Sequence, residues 1–182
     1  MIKEGGIDLV VKLCKQHVNV LELLRALVFL VGKMAENKEA QDKFAEKEII
    51  LTFKKGVDLF PEDCILANNI NLALANLCFC HKENTKQAVD CEILEHFKKQ
   101  VELFLDEPTC MQNLASVLNN MGFKNKELKE WFGAHGFVQV ALKIHEYYAT
   151  DKFMPKTLKQ SLKYAYLLHR SHIFTAIGRS VT

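Results

Sequence analysis

Two stretches of this 182-residue chain, Glu48-Ile49-Ile50-Leu51-Thr52-Phe53-Lys54-Lys55-Gly56-Val57-Asp58-Leu59-Phe60 and Glu92-Ile93-Leu94-Glu95-His96-Phe97-Lys98-Lys99-Gln100-Val101-Glu102-Leu103-Phe104, align without gaps at a spacing of 44. Phe53/Phe97, Lys54/Lys98, Lys55/Lys99, Val57/Val101 and Phe60/Phe104 match. A fixed period of about 20 to 50 residues is what stacked supersecondary units leave in a sequence. A further step of 44 reaches Gly136-Phe137-Val138 through Tyr147-Tyr148 with the same apolar pattern, and one step back, at 42, lies Gly6-Ile7 through Leu13-Cys14.

Within each copy the apolar residues Ile50, Phe53, Val57 and Phe60 recur at helical spacing, which predicts a helix burying one face. A second predicted helix follows each copy, over 21–35, 68–80, 109–121 and 158–170, and a shorter one precedes it, over 40–45, 85–89 and 127–132. Pro61, Pro108 and Pro155 fall between the two longer helices, where a ring with fixed φ and no N–H starts a helix rather than breaking one. The unit is short helix, helix, helix, and the chain is expected to be all-α.

Three helices in about 40 to 47 residues is the spacing of armadillo and HEAT solenoids. The run from Asn84 through Leu94 resembles the armadillo pattern of a short polar-started helix leading into a Gly-Gly-Ile junction. That junction stands as Gly5-Gly6-Ile7 and in part as Gly133 and Gly136, while Glu48 and Glu92 replace the expected glycines. Ala73-Leu74-Ala75-Asn76-Leu77 is similar to the end of an armadillo third helix. The resemblance implies one domain over 1–182: a partial repeat over 5–35, repeats over 36–80, 81–124 and 125–169, and a tail or further repeat over 170–182. HEAT-type packing is the alternative. Units of this kind bury their apolar faces only against neighbours, so uncapped ends imply a longer array or self-association.

The resemblance also places a concave groove along the third helices. Asn69 and Asn76 are seven apart and share a helix face, and Asn113 and Asn120 repeat them one period later. Amides carry donors and an acceptor, so the four could hold the backbone of a partner segment, as the asparagines of importin-type armadillo proteins do. Singly, asparagines cap turns or face water; the shared period is what favours binding. Importin-type repeats place a tryptophan four residues before the asparagine, and Leu72 and Ser116 stand there instead, so a nuclear localisation signal is not the expected ligand. With a three-residue insertion, Arg25 and Phe29 fall at the corresponding places of the first repeat, and Gln160 and Tyr164, or Lys163 and Leu167, in the last. Replacing Asn76 and Asn120 together is expected to weaken a partner with little effect on stability.

Chemistry is not expected. Cys78-Phe79-Cys80-His81, with Cys91 nearby, lacks the paired ligand spacing of structural zinc, and the helix at His145-Glu146 lacks a second histidine. No nucleophile elbow or phosphate loop occurs, so neither a catalytic residue nor a cofactor is predicted. At 49% hydrophobic and 25% charged the composition is that of a folded globular chain, and six cysteines are too few for a disulfide scaffold at this length. Trp131 is expected to anchor packing between units. The expected role is a non-catalytic scaffold in a reducing, intracellular compartment, cytoplasmic first, with another protein as partner. The alternative is an anionic surface, lipid or nucleic acid, met by 151–182, where six basic residues face Asp151 alone.

Overall fold

The computed structural model describes residues 5–149. The helix expected over 158–170, Pro155 and the basic segment lie outside them. Among the described residues every regular element is helical: α1 (Gly6–Gln16), α2 (Leu21–Met34), α3 (Lys38–Glu46), α4 (Ile49–Leu59), α5 (Cys64–Leu77), α6 (Lys82–Asp90), α7 (His96–Leu103, entered through a 3-10 turn at Ile93–Glu95), α8 (Pro108–Gly122), α9 (Lys126–Ala134) and α10 (Phe137–Ala149). The expectation of an all-α chain holds over this span.

The period is present in the backbone. Gly5 (φ 71°), Glu48 (φ 52°), Glu92 (φ 60°) and Gly136 (φ 82°) each take the left-handed conformation immediately before α1, α4, the 3-10 turn and α10. The junction therefore keeps its geometry at the two positions where glutamate replaces glycine. It also sets the first register: Gly5, not Gly6, is the equivalent of Glu48, so the step back is 43 rather than 42. One helix earlier, Asn37, His81 and Asn125, 44 apart, each accept a backbone N–H three residues on and start α3, α6 and α9. A side-chain acceptor at this place satisfies one of the helix's four orphan donors.

The longer helices start and stop for local reasons. Asp63 accepts the Leu66 N–H at 2.7 Å and opens α5 two residues after Pro61, four residues earlier than the apolar pattern predicts. Pro108 is the first residue of α8, where its missing N–H leaves nothing unsatisfied. Beyond α5 and α8 the chain turns through Cys80 (φ 54°) and Lys124 (φ 53°).

Apolar side chains at the repeated positions form the core. Ile50, Phe53 and Val57, and their counterparts Leu94, Phe97 and Val101, are all buried, together with Phe44, Phe132 and Phe137. Each such side chain contributes about 1.5–3 kcal/mol relative to exposure. The two most extensive helix contacts join α5 to α2 on one side and to α8 on the other. α1 meets α4, α4 meets the 3-10 turn that leads into α7, α7 meets α10, and α3 lies against α6. Trp131 stacks on His135 and Phe137, with ring centroids 4.1 and 5.4 Å apart, and meets Phe132 edge-on. These ring contacts all lie within the stretch 125–169, so they join α9 to α10 rather than one expected unit to the next.

Candidate partner-binding face

The sequence-selected residues Arg25, Phe29, Asn69, Asn76, Asn113, Ser116 and Asn120 all fall on α2, α5 and α8, the three helices that lie side by side. Gln160 and Tyr164 lie outside the described residues, as do Lys163 and Leu167. All seven described positions are half-buried except Phe29, which is exposed.

Each of the four asparagines points at the preceding helix. Asn69 Nδ2 donates to the Arg25 carbonyl at 3.0 Å and Asn76 Nδ2 to the Gly32 carbonyl at 2.9 Å, both 44 residues back. Asn120 Nδ2 donates to the Ala75 carbonyl at 2.8 Å and Asn113 Nδ2 to Asn68 Oδ1 at 2.8 Å, both 45 residues back. Asn69 and Asn76 do share a helix face, as do Asn113 and Asn120, but that face meets the neighbouring long helix. The amides therefore have a structural task that spacing alone did not disclose.

Two of these bonds close helix ends. The last four carbonyls of a helix have no partner within it. At the end of α5, Leu74 accepts from the Cys78 N–H, Ala75 from Asn120, Asn76 from the Phe79 N–H and Gln41 Nε2, and Leu77 from Asn84 Nδ2. Asn76 does for Gly32 near the end of α2 what Asn120 does for Ala75. One donor of each side chain is thereby used, and Oδ1 and the second N–H are not needed for the helix end.

The caps set the alignment of the first repeat. α2 follows Val20 and α5 follows Asp63, 43 residues apart, so no three-residue insertion separates them. Phe29 is level with Leu72 and with Ser116, not with Asn76. A row Phe29, Leu72, Ser116 thus crosses α2, α5 and α8. Phe29 is 46% exposed with the Lys33 ammonium 5.8 Å above its ring, and the Ser116 hydroxyl donates to the Gln112 carbonyl one turn back at 2.8 Å. The helices meet closely beside this row: a Cβ on Gly32 would stand 3.4 Å from the Ala73 backbone.

Arg25 is committed elsewhere. Its guanidinium makes a two-bond pair with the Asp63 carboxylate, with Nε 2.9 Å from Oδ1. The same carboxylate caps α5, so one ion pair ties α2 to the start of the next long helix. The guanidinium, joined by the Leu66 N–H, holds the Asp63 carboxyl below the usual carboxylate range against an opposing effect of burial. Spacing gave no means of foreseeing this pair, because its two members come from different parts of their repeats.

Further buried amides were not singled out from the sequence. Asn71 Nδ2 donates to Gln100 Oε1 at 2.8 Å and lies 3.7 Å from the Cys110 sulfur, joining α5, α7 and α8 inside the core. Gln87 Nε2 reaches the Ala45 carbonyl at 2.9 Å, and Tyr148 donates to the Leu105 carbonyl at 2.7 Å, again 42 and 43 residues back. Gln87 and Tyr148 share one signal, a polar side chain about one period after the end of a shorter helix; Asn71 does not have it.

The cysteine cluster divides between environments: Cys78 is buried and its thiol is pushed up to about 12 by burial, whereas Cys80 is exposed. The His81 ring is already engaged, Nδ1 accepting the Asn84 N–H and Nε2 lying 3.0 Å from Asp42 Oδ1. Among the described residues no group of three or more His, Cys, Asp or Glu is placed to hold a metal ion, and no helix is long and apolar enough to cross a membrane. No protein-family model matches the chain, and no curated protein or solved structure is significantly similar to it, so the face stands on its own geometry.

Proposed function

We propose that the chain is an armadillo- or HEAT-like α-solenoid that acts as a non-catalytic protein-binding or scaffold module, laying a partner segment along the face of α2, α5 and α8. The observation that carries this reading is the recurrence of contacts from one helix to the next. Left-handed entries at 43–44 residues, helix caps at 44 and side-chain-to-backbone bonds at 42–45 are the marks of units that contact their neighbours in the same way each time. A stack of such units leaves one long curved face.

Along it the partner meets Phe29, Leu72 and Ser116 in sequence, flanked by the free Oδ1 and N–H groups of the asparagines. An extended strand or a helix laid across three parallel helices would find apolar contact at the α2 end and polar contact at the α8 end. Backbone capture is left to those groups of Asn69, Asn76, Asn113 and Asn120 that face away from the neighbouring helix.

Affinity capture with wild-type protein and with Phe29→Glu/Ser116→Arg, followed by cross-link mapping, tests this. The account expects a partner that is lost from the double variant, retained by Lys12→Glu on the exposed side of α1, and cross-linked to α2, α5 or α8. A partner held equally by both variants, or cross-linked only to α1 and α4, would overturn it.

A further inference from the structure

Away from the row just described, a cleft of about 840 Å³ opens between the α5–α6 turn and the α8–α9 turn. Its apolar lining includes Val89, Met121, Phe123, Leu128 and Trp131. Phe79 stacks on Phe123 at its mouth, with centroids 6.4 Å apart and planes 23° from parallel. Half of each ring is left in water, at 50% and 44% exposure. The fold does not require an aromatic ring there: in the 43-residue register of α2 and α5 the counterpart of Phe79 is the exposed Glu36.

The charge around this mouth is predominantly positive. Lys82, Lys86, Lys124 and Lys126 line it against Asp90 and Glu127. Lys86 is paired with Asp90 at 3.0 Å, and Lys126 reaches Glu130 at 3.9 Å. Lys82 and Lys124 take part in no ion pair among the described residues, and the Lys124 ammonium instead stands 5.2 Å over the Phe123 ring. A ring with a cation above it and a half-exposed ring beside it form a mixed apolar and cationic surface.

Cys80 and Lys124, each directly after one of the two rings, hold left-handed φ values of 54° and 53° with a side chain present, as Glu48 and Glu92 do at the entries to α4 and the 3-10 turn. The connection from α2 to Asn37 is one residue shorter than that from α5 to His81 and holds no left-handed residue.

We propose that this cleft takes an acidic segment of a partner protein, which seats one bulky apolar side chain against Phe79, Phe123 and the cleft floor while its carboxylates meet Lys82 and Lys124. An apolar anchor supplies the affinity, and the uncompensated ammonium groups select the sign of the flanks. The cleft shares Asn120 with the face proposed above but none of Phe29, Leu72 and Ser116, so variants at those three and at Phe79, Lys82, Phe123 and Lys124 test the two separately.

The test uses labelled synthetic 12-residue peptides with a central Trp, Leu or Ser and flanks of Glu, Lys or Gln, titrated by fluorescence anisotropy against the full chain. Glu-flanked Trp and Leu peptides should bind, and Ser at the centre should weaken binding by about tenfold or more. Lys82→Glu/Lys124→Glu, on exposed side chains, should lose the Glu-flanked peptides by about tenfold and gain the Lys-flanked ones. Phe79→Ser/Phe123→Ser should abolish the preference for Trp and Leu while circular dichroism shows the helices intact. Absence of binding by any Glu-flanked peptide, binding insensitive to both variants, or tighter binding of a poly-dT oligonucleotide or phosphatidylserine vesicles at the same residues would each overturn the proposal.

Discussion

Asn76 and Asn120 close the ends of the preceding long helices, so removing them should cost stability as well as any affinity. In Asn76→Ala the Gly32 carbonyl loses its only side-chain donor, and in Asn120→Ala the Ala75 carbonyl does. A hydrogen bond of this kind is worth about 0.5–1.5 kcal/mol net, and a buried partner left bare costs about 1–3 kcal/mol. Both amides are half-buried, so water recovers part of the loss and about 1–1.5 kcal/mol per site remains. The two bonds share α5, Asn76 belonging to it and Asn120 donating to it, so the double variant is expected to lose about 2–3 kcal/mol with modest coupling. For a domain of this size that lowers Tm by roughly 4–10 °C. Urea unfolding followed by circular dichroism should show the midpoint fall at an unchanged m value. Asn113→Ala serves as the internal control, because its partner is the half-exposed Asn68 side chain rather than a helix-end carbonyl, and it should cost about 0.5 kcal/mol or less. If the double variant melts within a degree of wild type, the helix-end carbonyls are satisfied without these amides, and the structural role assigned to them here is refuted.

Other perturbations separate the remaining contributions. Asp63→Asn keeps a helix-capping acceptor and removes the charge facing Arg25, costing about 0.5–1 kcal/mol, whereas Asp63→Ala removes both and should cost about 1.5–3 kcal/mol in the same unfolding assay. Equal losses would mean the cap contributes nothing beyond the ion pair. Glu48→Gly and Glu92→Gly relieve side chains held at positive φ and should each raise stability by about 0.5–1 kcal/mol, the smaller strain offset in part by the entropy of glycine; a loss at either site would contradict the left-handed geometry. His96 lies 2.9 Å from Asp58 Oδ1, yet burial outweighs that carboxylate and holds the imidazole below its ordinary value of 6.5. The folded chain then takes up this proton at lower pH than the unfolded one, so the contribution is whole above about 6.5 and declines as pH falls below it. Urea midpoints measured from about pH 7.5 to 5.5 should fall less steeply in His96→Gln than in wild type; identical slopes would remove His96 from the account.

The all-helical class and the 44-residue spacing were legible in the sequence, and the task of the individual polar residues was not. The 44-residue match of Glu48–Phe60 with Glu92–Phe104 located the repeating helix, because burial acts on every copy alike and selects the same apolar stripe. It also located Asn69, Asn76, Asn113 and Asn120 as equivalent. Periodicity cannot distinguish a face that meets the next repeat from a face that meets a ligand, since both recur once per unit; only the bonds to the Gly32 and Ala75 carbonyls decide that. Glu48 and Glu92 read as departures from a glycine junction, yet tertiary packing holds both in the left-handed region that glycine would occupy freely. The caps Asn37, His81 and Asn125 stand at a spacing of 44, but one is histidine and two are asparagine, so identity conceals their shared function. The Arg25–Asp63 pair and the Phe79–Phe123 stack join residues whose meeting depends on the approach of neighbouring units, which no single-chain pattern records.

The central claim is that α5 separates α2 from α8 in a side-by-side row. Genetically encoded spin-label residues at positions 29 and 116, on α2 and α8, test it most directly through their dipolar distance. Two helix spacings of 8–10 Å predict a single backbone separation of about 16–20 Å, before the reach of the labels. A separation of about 10 Å, as in a bundle where α2 and α8 touch, would contradict the row and with it the face on which the proposed function rests.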